Sequence, residues 1–264
     1  MSRRGLLGLL GVGAAAVLAG CETPALPPSG SGGPTPAGPG GLPTGDPEVA
    51  PTVAPGRWQV LRHGAPGTRQ IALTVDDGDC TECVAGYAAF VERTGIALTL
   101  SPNGTYDHTW RPQGERLRPL VERGQLQVIN HTFTHRDLVR LPAPQVRDEL
   151  ERNEQWINTT FGTTARPYFR PPFGSSNPQV DGLAADLGYD RVVMWNGSYG
   201  DAKLVTPQYL LDQARRYLQP GVILLGHANH PTVLGLFDQI LGLIHDRALQ
   251  PVTLDQMFGT HRPP

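Results

Sequence analysis

Short apolar runs alternate with longer helix-like stretches from about residue 57 to the end of the chain. The run IALTV at 71–75 is a clear example, because it is apolar or β-branched throughout and stops at charged residues. Such alternation is typical of β/α units around a parallel sheet or barrel. The candidate strands are 71–75, 97–100, 127–130, 168–170, 191–195, 222–225 and 251–253. The candidate helices are 82–93, 115–123, 145–158, 178–185, 207–218 and 232–248.

Two of these helices carry clear start signals. Thr206 precedes Pro207, and Asn177 precedes Pro178. A capping side chain followed by proline at the first helical position favours a helix start. No internal repeat interrupts the alternation, so the pattern predicts an α/β fold.

The amino-terminal residues have a different character. Arg3 and Arg4 lead into an apolar, glycine-rich stretch that ends in VLAGC. This is typical of an export signal and is too short for a convincing membrane span. The segment resembles a twin-arginine signal with a bacterial lipobox, in which Cys21 is lipidated; the alternative is an uncleaved anchor. We expect a lipoprotein signal peptide at 1–21 and an extracytoplasmic protein, lipid-anchored to the cell membrane.

Residues 22–56 consist mainly of Pro, Gly, Ala, Ser and Thr. Such a segment cannot bury enough apolar surface to offset its ordering entropy, so we expect a flexible linker. The remaining segment, 57–264, suits one domain with a sizeable core. The formal net charge of -2 gives no electrostatic case for a nucleic-acid partner. Without coiled-coil heptads, a monomer is the simplest expectation.

Cys80 and Cys83 form a C-x-x-C within the predicted domain. In an oxidising compartment a local disulfide is the favoured interpretation. The alternative is a thiolate that assists a metal near Asp77, although a four-thiolate zinc site needs a second cysteine pair.

The candidate chemistry lies at predicted strand ends, where β/α folds place their active sites. Asp76 and Asp77 end the first strand, and His131 and His135 follow the third. If the turn between the histidines is helical, both imidazoles lie on one face and can reach one cation. Two histidines and one aspartate, with a fourth position left to water, make a catalytic zinc set. His227 also ends a strand.

Four motifs resemble those of the polysaccharide deacetylases of carbohydrate esterase family 4, the NodB-homology domain. They are TVDDG at 74–78, HTFTH at 131–135, RPPFG at 170–174 and LLGH at 224–227. Their order and spacing agree with the family from about residue 57 to residue 258. The resemblance implies a distorted (β/α)7 barrel with a single catalytic domain.

The resemblance also implies roles for individual residues. Asp77, His131 and His135 resemble ligands of a divalent cation, with Zn²⁺ first and Co²⁺ or Ni²⁺ as alternatives. Asp76 resembles the general base, Arg170 the arginine that holds that base, and His227 the general acid. The backbone N–H of Phe173 is similar to an oxyanion donor, and Leu225 to the wall of the acetyl pocket.

One motif departs from the family pattern. Its usual form is Asp-x-x-Asp-Trp, and SYGDA stands here at 198–202. Ser198 replaces the first aspartate and Ala202 the tryptophan, so only Asp201 remains in register. A carboxylate there would help to keep His227 protonated. The missing tryptophan puts the shape of the substrate groove in doubt.

The resemblance implies a hydrolase that removes N-acetyl groups from N-acetylglucosamine or N-acetylmuramic acid units of a cell-envelope polysaccharide such as peptidoglycan, with a chitin-like polymer as another substrate. An acetyl ester esterase acting on xylan is a second interpretation, because the same oxyanion chemistry serves an ester. The third is a sugar-binding lipoprotein that has lost turnover, which only the altered motif supports.

Overall fold

The computed structural model describes residues 57–259. Its strands are β1 (Gln59–Leu61), β2 (Gln70–Asp77), β3 (Leu98–Pro102), β4 (Leu126–Val128), β5 (Tyr168–Phe169), β6 (Arg191–Val193), β7 (Gly197–Ser198), β8 (Ile223–His227) and β9 (Gln250–Pro251). Its α-helices are α1 (Thr81–Thr94), α2 (Asp107–Glu122), α3 (Ala143–Phe161), α4 (Pro178–Asp186), α5 (Pro207–Tyr217), α6 (Phe237–Asp246) and α7 (Leu254–Phe258).

The strands form two parallel sheets. The larger has the order β4-β3-β2-β8-β7, and β9 pairs with the amino-terminal end of β2. The smaller has the order β1-β6-β5. A single parallel bridge from Asn130 to Phe169 connects the two sheets beyond β4. Parallel pairing with helical crossovers confirms the α/β class in a single domain.

The expected barrel does not close as a continuous ladder within residues 57–259. Its weak points are β5 and β7, which are two residues long. Pro171 and Pro172 come one residue after β5 and have no N–H to donate, so the ladder stops there. β6 pairs with β5, whereas β7 turns to pair with β8. The strands therefore form two sheets instead of a hydrogen-bonded ring of seven.

Strand β2 lies at the centre of the larger sheet. It pairs with β3 on one side and β8 on the other, and every residue after Gln70 is buried. A strand covered on both faces is expected to be a nearly continuous apolar run, as IALTV is. The carboxyl end of β2 therefore lies between the ends of β3 and β8, where we expected the chemistry.

All seven predicted strands are present, and the sequence pattern missed only β1 and β7 among those described. The Thr206 and Asn177 caps are confirmed, since their side chains accept from the N–H groups of Tyr209 and Val180. The boundaries of α2 differ most: it begins at Asp107, eight residues before the predicted start at 115. Its first turn carries a buried apolar residue, Trp110, within a polar stretch that showed no helical periodicity.

The carboxyl-terminal helices also differ from the prediction. Residues Pro231–Leu236 form a 3₁₀ turn, and α6 follows it, where one helix over 232–248 was expected. Helix α7 was missed, although Thr253 and Gln256 form a capping box at its start. Within residues 57–259, no helix combines the length and apolarity needed to cross a bilayer.

Candidate active site

Asp76 and Asp77 project from the end of β2 into one buried site, where they are 3% and 6% exposed. Asp77 has a φ of 70°, which lies in the left-handed region. Its carbonyl accepts a hydrogen bond of 2.8 Å from Nε1 of Trp110. Gly78 follows with a φ of 122°, and a Cβ there would lie 2.0 Å from the same Nε1. The turn that directs both carboxylates into the site therefore requires glycine at 78.

His131 and His135 reach this site from the loop after β4, but the helical turn expected between them is absent. Thr132 and His135 have positive φ values of 68° and 57°, which an α-helix excludes. The loop instead folds so that Nε2 of each histidine lies 3.4 Å from Oδ1 of Asp77. The two rings lie 4.9 Å apart at 62°.

Buried polar side chains hold this strained loop. Glu149 accepts hydrogen bonds from the N–H groups of Phe133 and Thr134 at 3.0 and 2.7 Å. Asn103 donates to the carbonyls of His131 and Thr132. Positive φ at non-glycine residues costs free energy and persists only where neighbours enforce it. The network therefore positions the two imidazoles.

The geometry fits a divalent cation. One ligand atom from each of Asp77, His131 and His135 lies within 4.8 Å of the other two. Oδ1 of Asp77 is buried and has no hydrogen-bond partner, although a carboxylate oxygen rarely remains unsatisfied inside a protein. Nδ1 of His131 donates to the carbonyl of Arg170 at 2.8 Å, which orients the ring so that Nε2 faces that oxygen. The donor set suits zinc, cobalt or nickel.

Burial and neighbouring charges both shift the pKa values of the site residues. Burial raises the pKa of Asp77, but the close approach of His131, whose Nε2 lies 3.4 Å from Oδ1, and the charges of His131 and His135 outweigh it and hold this pKa far below its usual range. Burial lowers the pKa of His135, and the charge of His131 lowers it further. Asp77 is therefore a carboxylate and His135 favours the neutral form, as metal ligands require. Burial lowers the pKa of His131, but the charge of Asp76 and the proximity of Asp77 raise it overall, so a cation that binds there would displace a proton from this ring.

Asp76 has a different partner from Asp77. Its Oδ1 accepts a hydrogen bond of 2.6 Å from Nη1 of Arg170, which also donates to the hydroxyl of Thr74 at 2.9 Å. Nε of Arg170 lies 3.3 Å from the carbonyl of Val193, and the whole arginine is buried. The structure thus places Arg170 beside Asp76, while Oδ2 of Asp76 lies 3.5 Å from Nε2 of His131.

His227 ends β8 directly beside Asp76 in the parallel register. Its Nδ1 lies 2.9 Å from Oδ1 of Asp201, and its backbone N–H donates to Oδ2 of the same residue at 3.2 Å. Burial lowers the pKa of His227, but the hydrogen bond to Asp201 and the charge of Asp76 raise it overall. The imidazole therefore stays protonated to a higher pH than an ordinary histidine, and Nε2 is the nitrogen that Asp201 does not contact.

The remaining predicted residues lie close by. Leu225 is buried two residues before His227 on the same face of β8. Phe173 has a φ of 61° in the 3₁₀ turn Pro172–Gly174, and its 69% exposed ring lies 4.6 Å from that of His135. Ser198 accepts from the N–H of Gly200, and Ala202 is exposed, so neither contacts His227 as Asp201 does.

Cys80 and Cys83 form a disulfide at the start of α1, directly after the loop that carries Asp77. Their sulfurs are therefore bonded to each other and are absent from the cluster of candidate metal ligands. Cys21 lies outside the described residues.

A cavity of about 790 Å³ lies elsewhere on the molecule and is lined by residues such as Ile96, Gln125, Leu249 and Gln250. These residues precede or begin strands β3, β4 and β9, so the cavity lies at the opposite end of the sheet from the carboxylates. No candidate group of metal ligands lies there among residues 57–259. Volume alone therefore does not locate the chemistry.

A family model described as polysaccharide deacetylase matches residues 63–192. This part of the chain is therefore similar to a polysaccharide deacetylase domain. The match includes the aspartate pair, both histidines and Arg170, whereas Asp201, Leu225 and His227 lie beyond it. The structure joins these later residues to the matched region through the β2–β8 pairing.

The chain is also similar to curated deacetylases and shares its fold with a solved structure. The chain is 28% identical over 165 residues to a chitooligosaccharide deacetylase of Bradyrhizobium sp. (strain ANU 289), covering 62% of this chain and 73% of that protein. It is 28% identical over 174 residues to the peptidoglycan-N-acetylmuramic acid deacetylase PdaA of Bacillus subtilis, covering 65% and 64%. A CE4 family pseudoenzyme from Bacillus anthracis has the same fold, with a TM-score of 0.66, 21% identity and coverage of 75% and 68%.

Several residues that shape the site escaped the sequence-based analysis. Asn103, Glu149 and Asn229 contact the loops that carry the candidate metal ligands, and Trp110 binds the carbonyl of Asp77. A single buried Asn or Glu leaves no periodic signal. Only the run of polar residues after each strand indicated that these segments contain functional residues as well as turns.

Proposed function

We propose that the protein is a metal-dependent hydrolase that removes acetyl groups from N-acetylated sugar units of a cell-envelope polysaccharide. The observation that carries the proposal is the unpartnered Oδ1 of Asp77, which faces Nε2 of both His131 and His135. Beside it stand a separate carboxylate, Asp76, and a separate histidine, His227. A ligand set, a base and an acid are the groups that hydrolysis of an acetyl linkage requires.

A divalent cation held by Asp77, His131 and His135 would acidify bound water and polarise the acetyl carbonyl. Zn²⁺ is the ion we propose first, with Co²⁺ and Ni²⁺ as alternatives, because all three accept imidazole and carboxylate ligands. Each histidine would bind the cation through a deprotonated Nε2, and the hydrogen bond from Nδ1 of His131 to the carbonyl of Arg170 orients that ring for it.

Asp76 is the proposed general base. Arg170 binds Oδ1 of Asp76, which fixes the carboxylate and leaves Oδ2 to accept a proton from the attacking water. His227 is the proposed general acid, because the pKa of its imidazole is raised and Asp201 binds Nδ1. Its Nε2 then delivers a proton to the departing amine. Adjacent aspartates with different partners thus take different roles.

The proposed substrate is a glycan rich in N-acetylglucosamine or N-acetylmuramic acid, with peptidoglycan first. Relatives that act on chitooligosaccharides and on peptidoglycan support a sugar polymer. The exposed ring of Phe173 beside His135 offers an apolar face next to the site, as sugar rings prefer. Its backbone N–H is the proposed oxyanion donor, and Leu225 the proposed wall of the acetyl pocket.

The test is acetate release by the domain from Arg57 onward. N-acetylglucosamine oligomers, peptidoglycan and acetylated xylan are each treated with protein as purified, stripped of metal, and restored with Zn²⁺. We expect zinc-dependent acetate from an N-acetylated substrate. Release from xylan alone would instead show an acetyl ester esterase. Zinc binding without acetate from any substrate would favour a sugar-binding protein, in line with the pseudoenzyme that shares this fold.

The Asp76→Asn variant tests the role of the base. We expect it to abolish acetate release while zinc remains bound, because Asp76 lies outside the ligand cluster. Zinc content by atomic absorption and acetate by a coupled assay measure the two properties. Substantial activity in this variant would contradict the assignment of Asp76.

We also propose that the protein is exported and anchored to the cell membrane through a lipid on Cys21. The support is the sequence SRRGLL followed by LAGC, and these residues lie outside the described part of the chain. Cys21→Ala should move the protein from the membrane fraction to the soluble fraction, and unchanged fractionation would contradict the anchor. We propose a monomer, which sedimentation equilibrium of the domain would test.

A further inference from the structure

Asn229, two residues after His227, directly contacts the candidate metal ligand. Its Nδ2 donates a hydrogen bond of 2.7 Å to Oδ2 of Asp77. Asn229 is half-buried and lies outside the motifs that indicated the site. Because this contact joins residues 152 positions apart in the chain, nothing in the local sequence indicated it.

The amide is held at both ends. Its Oδ1 accepts hydrogen bonds from the N–H groups of Gly78 and Asp79 at 3.3 and 3.2 Å. These two donors fix which end of the amide carries oxygen, so the NH₂ group must face the carboxylate. The backbone is also fixed, since Ala228 donates to the carbonyl of Asp76 at 2.9 Å and accepts from the N–H of Cys80 at 3.1 Å.

The contact divides the two oxygens of Asp77 between different tasks. Oδ2 is occupied by Asn229, whereas Oδ1 is buried without a hydrogen bond and lies 3.4 Å from Nε2 of each histidine. A carboxylate that is free to rotate can offer both oxygens to a cation. With Oδ2 held by the amide, only Oδ1 faces the histidines, and more of the cation's coordination positions stay open for water and substrate.

The charge of the partner matters as much as its position. Asp76, the proposed base, is bound by the cationic guanidinium of Arg170. Asp77, the proposed ligand, is bound by a neutral amide. A cationic partner would offset the negative charge that attracts a metal ion, whereas an amide orients the carboxylate and leaves its charge intact. The two neighbouring aspartates thus have partners matched to their different tasks.

We infer that Asn229 is a positioning residue that restricts Asp77 to ligation of the cation through one oxygen. The inference rests on the metal site of the proposed function and extends it to a residue outside the ligand set. Asn229 acts only through Asp77 and through the loop at Gly78 and Asp79.

The test uses Asn229→Ala and Asn229→Ser in the otherwise complete domain. Metal-free protein is titrated with Zn²⁺ in competition with a chromophoric chelator, without substrate. Loss of a partner to a metal ligand typically weakens affinity about 10- to 100-fold, and we expect a rise of this size in the Kd for both variants. The serine side chain keeps a hydroxyl but is too short to reach both partners. Asn158→Ala, at an exposed position on α3, is the matched control and should leave the Kd unchanged.

The visible spectrum of the Co²⁺-loaded proteins separates positioning from general loosening. If Asp77 in Asn229→Ala can bind through both oxygens, coordination number rises and the absorption of Co²⁺ weakens. Urea unfolding of the metal-free variants shows whether they are folded. A folded Asn229→Ala with a Kd within about threefold of the parent, or with an unchanged Co²⁺ spectrum, would overturn the inference.

The outcome is distinguishable from failure of the proposed function. Metal affinity that depends on Asn229 in a protein that releases no acetate would retain this inference and reject the deacetylase. Failure of the parent domain to bind Zn²⁺ or Co²⁺ at all would reject both.

Discussion

Replacing Arg170 by methionine is the sharpest test of how the site is built into the fold. The guanidinium is fully buried and lies 2.6 Å from Oδ1 of Asp76, which is itself 3% exposed. Methionine keeps much of the volume but leaves the carboxylate buried without its cation. Removal of one partner of a buried ion pair costs about 3–5 kcal/mol, and we expect the free energy of unfolding to fall by that amount.

The assay is urea unfolding of the metal-free domain at neutral pH. Arg147→Met is the matched control, because Arg147 also binds an aspartate, Asp186, at 2.9 Å, but both side chains are more than a third exposed. An exposed pair contributes about 0–1 kcal/mol, so the control should lose little stability. The contrast between the two variants isolates the effect of burial.

A double variant then identifies the cause. Asp76→Asn removes the charge that Arg170→Met leaves unpaired, so the double variant should be more stable than Arg170→Met alone by at least about 1 kcal/mol, the size of coupling seen between contacting residues. A loss below about 1 kcal/mol in Arg170→Met would refute the reasoning. So would a double variant in which the two losses simply add.

Two further predictions concern the acid and the aspartate turn. Asp201→Asn removes the main group that raises the pKa of His227, so the protonated form is lost at lower pH and the alkaline limb of the pH–rate profile for acetate release should move to lower pH; an unmoved limb would contradict the role of Asp201. Gly78→Ala places a Cβ against Nε1 of Trp110 and should destabilise the domain by about 1–3 kcal/mol in urea unfolding. Gly124→Ala, also at positive φ but with no atom within 4 Å of its Cβ, should lose less.

The strands and the site could be predicted because both produce recognisable patterns of apolar and polar residues in the sequence. A strand buried on both faces is an apolar run, and the polar residues at its end stand out against it, as Asp76 and Asp77 do. Parallel strands bring their carboxyl ends to one edge, so residues as distant as Asp77 and His131 could be placed in one site.

The backbone conformation of the loop that carries His131 and His135 could not be predicted from the sequence. The spacing of His131 and His135 suggested a helical turn, but the loop has positive φ at Thr132 and His135. What enforces that shape is Glu149, on a helix that follows in the chain, and no local rule links it to the histidines. The predicted closure of the barrel is not found for a related reason, since very short strands such as β5 make too few backbone hydrogen bonds to continue a ladder.

The position of β2 separates the chemistry from the recognition of the polymer. Its residues after Gln70 are all buried and it is flanked by β3 and β8, so exchange of the Asp76 and Asp77 amide protons should require opening of the whole domain. Phe173 and Ala202, by contrast, lie in connections between strands. Such connections accept substitutions and insertions more readily than the strands that bear them. Divergence within this architecture can therefore change the proposed glycan-binding surface while the proposed hydrolytic centre stays unchanged.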